Sequence, residues 1–157
     1  SPISTPAGTA ITPPSVPAAM AHDDEAGAAA AAEYFMALYE YVLQTGDSES
    51  WVAASGDECG FCSGLVDSVT TRYADGGRFE RAEPARYSDF TIASYDETSG
   101  IFTVNLSFAN AGVRSVNSDG SVASTAGAEQ GTLTLGLISA ARGWVLLGGS
   151  AKPGSTQ

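Results

Sequence analysis

The chain has 157 residues, a length typical of one domain, and 43% of them are hydrophobic, which is enough for a packed core. Eighteen acidic residues against seven basic ones give a formal charge of −11 at pH 7. Because so acidic a chain repels phosphate groups, we expect it to bind neither nucleic acid nor anionic lipid headgroups.

Residues 1–22 predict a disordered Pro/Ala/Ser/Thr tether. Proline fixes φ and removes a backbone donor, and the small residues around the prolines bury little surface. No segment reaches the roughly 18 to 20 apolar residues that span a bilayer. Since the chain starts at Ser1 with neither a methionine nor a signal-peptide core, we expect any targeting segment to lie upstream. The prolines of the tether are Pro2, Pro6, Pro13, Pro14 and Pro17.

Three helices are predicted in the first half of the chain. The first begins at Asp23–Glu25, where acidic side chains favour the positive end of the helix dipole, and it ends at Gly46. A short second helix runs through Trp51 to Ala54. The third extends from about Asp57 to Asp75, where two glycines stop it. The apolar stripes have helical spacing: Ala28, Ala32, Phe35, Met36, Tyr39, Val42 and Leu43 in the first helix, and Cys62, Leu65, Val66, Val69 and Tyr73 in the third.

From Arg78 onward the hydrophobic period becomes two-fold, which predicts β-strands. Turns are expected at residues 96–100, 117–120 and 141–143. We expect the strand over 102–108 to continue irregularly through 113–116. The alternating positions are Phe90 and Ile92, then Phe102, Val104, Leu106 and Phe108, then Leu133, Leu135 and Leu137, with Trp144 to Leu147 closing the sheet.

The connections between these strands leave no room for crossover helices, so the sheet is predicted to be an antiparallel meander. Helices that precede strands indicate an α+β domain, with three N-terminal helices packed on the sheet. We place this domain at residues 23–152 and a flexible tail at 153–157.

The only two cysteines, Cys59 and Cys62, lie three positions apart near the start of the third helix. Helical residues at this spacing have Cα atoms roughly 5 Å apart, which suits a disulfide worth roughly 2 kcal/mol. A redox-active pair is the first alternative because a helix N-terminus lowers a thiol pKa, but two acidic neighbours and the absence of a preceding strand oppose it. A metal site would need two more ligands, and the one histidine is His22. We favour the structural disulfide and expect no metal and no cofactor.

The order of elements over about residues 23–151 resembles the nuclear-transport-factor-2-like superfamily. A narrower set of residues is similar to a family of uncharacterised actinobacterial lipoproteins: the stretches 32–35, 38–41 and 45–47, Trp51, and Cys59-Gly60-Phe61-Cys62. The resemblance implies a cone-shaped roll with a curved antiparallel sheet. It also implies a lipid-anchored protein at the cell surface, with membrane contact only through an upstream anchor. It implies no known activity.

The superfamily's fold has a cavity between helices and sheet, and its enzymes place tyrosine, aspartate or histidine there. By this resemblance Tyr34, Tyr39, Asp67 and Tyr73 are candidate lining residues, although tyrosines at helical spacing are also typical of ordinary packing. His22 lies at the tether boundary and gives no support for acid–base chemistry, so we predict no catalytic residue.

Exposed aromatic side chains are a further candidate site. Tyr34 and Tyr41 share one face of the first helix and could form a contact patch for a partner. The alternative is that they pack at the margin of the core.

We therefore expect a non-catalytic, extracytoplasmic binding or interaction module, monomeric or homodimeric, whose partner is an envelope protein or a small ligand. The alternatives are a pocket enzyme of the isomerase or dehydratase kind and a thiol–disulfide oxidoreductase.

Overall fold

The computed structural model describes residues 12–154. A 3₁₀ helix at Ala18–Ala21 precedes three α-helices: α1 (Glu25–Thr45), α2 (Glu49–Ala53) and α3 (Gly60–Ala74). The strands are β1 (Arg78–Glu80), β2 (Arg86–Asp96), β3 (Ile101–Asn110), β4 (Val113–Val116), β5 (Val122–Ala126), β6 (Glu129–Ala140) and β7 (Gly143–Pro153). The first eleven residues of the predicted tether and the last three of the predicted tail lie outside the described part of the chain.

The strands form two antiparallel sheets, so the expected single meander is wrong in detail. One sheet has the order β2-β3-β6-β7 and the other the order β1-β4-β5. The α+β class with three helices before antiparallel strands is confirmed. The sequence pattern missed β1 and β5, because β1 is three residues long and every residue of β5 is exposed.

Residues 113–116 do not continue β3, because the chain turns at Gly112. Gly112 has a φ of 105°, and a Cβ there would lie 2.2 Å from the carbonyl oxygen of Ala126. Only glycine fits so close an approach at a positive φ. The turn sends β4 into the second sheet, where it pairs with β1 and β5.

Helix α1 supplies most of the helical side of the core. The Asp24 carboxylate accepts a hydrogen bond from the Gly27 N–H at 3.0 Å, and Gly46 ends the helix with a φ of 79°. Its buried face packs against the inward alternating residues of β3 and β6. The inward strand residues are Phe102, Val104, Leu106, Leu133, Leu135 and Leu137.

In residues 12–154 no helix, α1 included, is long and apolar enough to cross a membrane.

Helix α3 begins at Gly60 rather than at the predicted Asp57, because the backbone before it is engaged with β7. The Leu146 N–H donates to the Ala54 carbonyl at 2.9 Å, and the Gly56 N–H donates to the Leu146 carbonyl at 2.8 Å. These extended contacts exclude helical geometry in this loop. Cys59 then becomes the N-cap of α3.

Residues 18–22, which composition assigns to the tether, are packed against the domain. The Trp144 indole Nε1–H lies 3.1 Å from the carbonyl oxygens of both Met20 and His22, and the Met20 side chain is packed against the core. A Cβ at Gly27 would lie 1.9 Å from the His22 carbonyl oxygen, so glycine permits this approach. At the other end, residue Pro153 of the predicted tail belongs to β7.

Candidate functional site: a small cavity beside Tyr39

A cavity of about 200 Å³ lies between α1 and the inner faces of the sheets. It sits where β3 ends and β6 begins, so helix side chains form one wall and strand ends the other. The helical wall comes from α1 and from Phe61 at the start of α3. The main lining residues are Met36, Tyr39, Leu43, Phe61, Arg81, Tyr87, Phe108, Val113, Ala126, Glu129, Leu133 and Ala151.

Strand register explains why polar and apolar side chains meet here. Side chains alternate between faces, so Glu129 lies on the same face of β6 as the buried Leu133. Glu129 pairs with Asn110, Tyr87 pairs with Phe108, and each of these positions is in phase with the buried residues of its sheet. The hydrophobic alternation therefore runs into a polar edge at this end of the sheet.

Tyr39 stands on the helical wall within an aromatic cluster. Its ring stacks on Phe61 with centroids 5.8 Å apart, and it meets Trp51 edge-on at 5.9 Å. Burial raises the pKa of Tyr39, and the neighbouring Glu40 carboxylate raises it further. The phenol therefore stays protonated at neutral pH.

The Tyr39 hydroxyl is available to a ligand. No hydrogen bond joins it to another residue in the described part of the chain, where no fully buried side-chain nitrogen or oxygen lacks a partner. It follows that the Tyr39 hydroxyl is not completely buried. A phenol in this position can donate one hydrogen bond to a ligand and accept another.

Glu40, Arg81 and Tyr87 form a closed cluster at the edge of the cavity. Arg81 Nε and Nη2 lie 2.5 Å and 2.8 Å from the two carboxylate oxygens of Glu40, and the Tyr87 hydroxyl donates to the same carboxylate at 2.7 Å. Arg81 Nη1 donates to the Gly112 carbonyl at 3.3 Å. The Arg81 side chain is only 7% exposed, so the pair is largely desolvated. Burial, with the Glu40 charge as a second cause, strongly raises the pKa of Tyr87.

This arrangement limits the chemistry that the cavity can perform. Glu40 accepts from three protein donors, and each nitrogen of the Arg81 guanidinium already donates. Neither is free as a general base or as an anion-binding group. Glu129, whose side chain has no salt bridge or hydrogen bond to another described residue, is the one unpaired charge among the cavity-lining residues.

Beside the cavity lies a larger open space of about 520 Å³, which we call the vestibule. Asn110 and Glu129 line both spaces, and Glu83 and Arg86 stand on the outer rim. Across residues 12–154, no group of three or more His, Cys, Asp or Glu side chains is placed to hold a metal ion.

Of the four candidate lining residues from the sequence, the structure places Tyr39 in the cavity and the other three elsewhere. Tyr34 lies in a groove with Met20 and Trp144. The Tyr73 hydroxyl donates to the Leu43 carbonyl at 2.8 Å and accepts from the Phe79 N–H, which fixes α3 to α1 and β1. Asp67 is exposed on the outer face of α3.

The two cysteines form a disulfide. Cys59 and Cys62 are bonded, with Cα atoms 5.2 Å apart, and their exposed fractions are 3% and 1%. The bridge lies inside the corner between α2 and α3. Burial of this depth separates the sulfur atoms from any macromolecular disulfide in solution.

The predicted aromatic patch does not form a continuous exposed surface. Tyr34 and Tyr41 are both half-buried. The Tyr41 hydroxyl donates to the Asp47 carboxylate at 2.7 Å, a bond that also raises the pKa of this phenol. Tyr34 packs against Phe35 with centroids 5.7 Å apart.

Sequence reasoning missed most of the cavity. Arg81 and Tyr87 lie in segments without a clear period, and nothing local relates them to Glu40. Phe108 is predicted as a strand residue but not as part of the cavity wall. The sequence does carry a signal for Glu129, which is in phase with three alternating leucines of β6 and therefore lies on the core-facing side of the strand, at its exposed end.

Residues 7–148 match a family described as "Family of unknown function (DUF6318)". No curated protein sequence matches the chain. The match spans nearly all of the described domain and its cavity.

Solved structures similar to this chain share its fold at low identity. The intermembrane space region of the chloroplast protein ARC6 has a TM-score of 0.60 at 9% identity and covers 83% of this chain and 98% of its own. A putative aromatic ring hydroxylase from Novosphingobium aromaticivorans has a TM-score of 0.54 at 12% identity, covering 82% and 90%. The beta subunit of a putative aromatic-ring-hydroxylating dioxygenase from the same organism has a TM-score of 0.53 at 14% identity, covering 83% and 91%. These likenesses show the fold alone.

Proposed function

We propose that this chain, which belongs to the DUF6318 family of unknown function, is a non-catalytic binding module that holds a small, largely apolar ligand in the cavity beside Tyr39. The observation that carries the proposal is the free Tyr39 hydroxyl in a cavity walled mainly by aromatic and aliphatic side chains, with Arg81 and Glu129 as its charged lining residues. Binding sites of this kind combine apolar contact area with a few polar groups that orient the ligand.

The size of the cavity supports a ligand built around one ring. An engineered cavity of about 150 Å³ in another protein holds benzene, and the cavity here measures about 200 Å³. Ring faces and edges of Tyr39, Phe61 and Phe108 would contact such a ligand.

Two features favour binding over catalysis. An isomerase or dehydratase would need a base held against the reacting atom. Glu40 is engaged by Arg81 and Tyr87, and Glu129, the unpaired carboxylate, is an exposed residue that no protein donor positions. A thiol oxidoreductase would need an accessible sulfur, and both cysteines are buried.

The proposed location is outside the cytoplasm, at the cell surface and on a lipid anchor. A disulfide is typical of proteins that fold in an oxidising compartment, and the proline-rich composition of residues 1–17 suits a spacer.

We further propose that the domain is a cone-shaped roll with the cavity at its open end. Residues 18–22 dock on Trp144, roughly 23 Å along β7 from Ala151 at the cavity, so the spacer would hold the mouth away from the anchor. Retention of the protein in membranes of its native cells after a salt wash, and its release by lipase, would test the anchor.

The cavity is tested by titrating ¹⁵N-labelled protein with benzyl alcohol, a neutral single-ring probe. We expect saturable shifts of the backbone amides of Met36, Tyr39 and Leu133. Ala151→Leu places a larger side chain at the cavity wall and should abolish these shifts.

Ala140→Leu is the matched control, because Ala140 is exposed at the opposite end of the sheet. It should leave the titration unchanged. Absence of saturable shifts in the parent protein, or equal binding by Ala151→Leu, would contradict the proposed function.

A further inference from the structure

The charge left unpaired at the cavity is negative. Glu129, the first residue of β6, is exposed, lies on the same face of the strand as Leu133, and lines both the cavity and its vestibule. In the described residues its carboxylate has no ion-pair or hydrogen-bond partner. Tyr39 lines the same cavity, and after burial the Glu129 charge is one of the smaller causes that raise the pKa of this phenol.

The Arg81 guanidinium, the cation among the cavity-lining residues, is already engaged by other groups of the protein. Arg81 Nε and Nη2 donate to Glu40, and Nη1 donates to the Gly112 carbonyl. The side chain is 7% exposed, so an incoming carboxylate or phosphate would have to break a desolvated ion pair to reach it.

Charged residues of the vestibule add to the negative potential that Glu129 produces at the cavity. The vestibule rim holds Glu83 and Arg86, so with Glu129 the entrance carries two carboxylates against one guanidinium. The whole chain has a formal charge of −11. A cleft with this balance concentrates cations and speeds their entry.

The aromatic wall also suits a positive charge. The rings of Tyr39, Phe61 and Phe108 line the space next to Glu129. The faces of aromatic rings attract ammonium groups, and this attraction adds to the pairing with a carboxylate.

Resting on the proposed function, we propose that the ligand class is a small organic cation: a single-ring apolar body that carries a protonated amine, with the ring in the cavity and the ammonium paired with Glu129. The Tyr39 hydroxyl accepts a second hydrogen bond from the ammonium group.

The test compares benzylamine, which is protonated at neutral pH, with benzyl alcohol, a neutral probe of nearly the same shape. Both are titrated into ¹⁵N-labelled parent protein, Glu129→Gln and Glu97→Gln. Glu97→Gln is the matched control, since it removes the same charge in the β2–β3 turn at the far end of the sheet.

We expect the parent protein to bind benzylamine about fivefold more tightly than benzyl alcohol, because a partly exposed ion pair contributes modestly. Glu129→Gln should remove this preference, so that the variant binds the two probes about equally. Glu97→Gln should keep the preference. Added sodium chloride should weaken benzylamine binding only.

Equal binding of the two probes, or a preference that persists in Glu129→Gln, would overturn the assignment of a cationic ligand while leaving the cavity intact. If Glu97→Gln lost the preference for benzylamine as fully as Glu129→Gln, the preference would come from the net charge of the chain, and the role of Glu129 would be overturned. Binding of neither probe would overturn the proposed function together with this inference.

Discussion

The Trp51 indole N–H donates a hydrogen bond to the backbone carbonyl oxygen of Cys62 at 3.0 Å, inside the core. This bond connects α2 to the first turn of α3, directly beside the Cys59–Cys62 disulfide. The Trp51 ring also meets Tyr39 edge-on. One tryptophan therefore joins the disulfide corner to the wall of the cavity.

The first prediction concerns the disulfide. Replacing both cysteines with serine (Cys59→Ser with Cys62→Ser) should lower the free energy of unfolding by about 2 kcal/mol and leave the fold intact. The Trp51 bond should survive, since it uses the backbone of residue 62. Thermal unfolding followed by circular dichroism measures the first effect, and the NMR signal of the Trp51 indole N–H measures the second.

A reductant provides the control for this prediction. It should lower the melting temperature of the parent protein toward that of the double variant and leave the variant unchanged. A double variant as stable as the oxidised parent would contradict a stabilising role for the bridge.

The second prediction concerns the Glu40–Arg81 pair. Arg81→Met removes the cation that is paired with a largely buried carboxylate and should cost about 3 kcal/mol. Combining it with Glu40→Gln should cost less than the sum of the two single changes, because neither charge is then left unpaired. Urea unfolding of the four proteins gives the coupling energy.

Arg114→Met is the matched control, since it breaks an exposed pair with Glu80 in which the side chains are 47% and 31% exposed. It should cost less than about 1 kcal/mol. If Arg81→Met were no more destabilising than Arg114→Met, the buried pair would have no special part in stability.

The third prediction concerns alkaline pH. Burial, followed by the Glu40 charge, raises the pKa of both Tyr39 and Tyr87 in the folded protein. The unfolded chain releases these protons near a pKa of about 10, so the folded state binds more protons above that pH and stability falls as pH rises. Urea unfolding over a series of alkaline buffers measures this slope. Tyr87→Phe should flatten it, and an unchanged slope would contradict the assignment.

The fourth prediction concerns the segment docked on Trp144. Trp144→Phe removes the donor to the Met20 and His22 carbonyls and should cost about 1 kcal/mol. Backbone amides of residues 18–22 should then exchange with deuterium faster, as measured by mass spectrometry.

Gly27→Ala should have the same effect on exchange, because its methyl group would displace the His22 carbonyl. Trp51→Phe is the control, since Trp51 does not contact this segment through its indole N–H. Equal exchange of residues 18–22 in all three variants would contradict the docking.

The sequence predicts the helices well because their signals are local. Asp24 caps α1 and Gly46 ends it, and both positions can be recognised from neighbours within one turn. The start of α3 was misplaced by three residues because the preceding backbone pairs with Leu146, some ninety positions later. Hydrogen bonds over such a separation leave no periodic signal in either segment.

The candidate site shows the same difference between local sequence signals and contacts that only packing creates. The superfamily resemblance makes Tyr39 a candidate lining residue, and Tyr39 lies in the cavity. Glu40, Arg81 and Tyr87 meet only because β1, β2 and α1 pack together. Tyr34 does not line the cavity, because it lies in a groove with Trp144. Which face of a helix meets a sheet edge depends on packing, which spacing alone does not specify.

By itself the sequence determined the α+β class, the order of elements, the acidic charge and the cysteine pair, because caps, glycines and hydrophobic periods act over a few residues. Only the tertiary structure decided that the strands divide into two sheets, that Glu40 is closed by Arg81 and Tyr87, and that Glu129 is left unpaired at the cavity. Those features depend on contacts between residues that are far apart in the chain, and such contacts form only when the whole core is buried together.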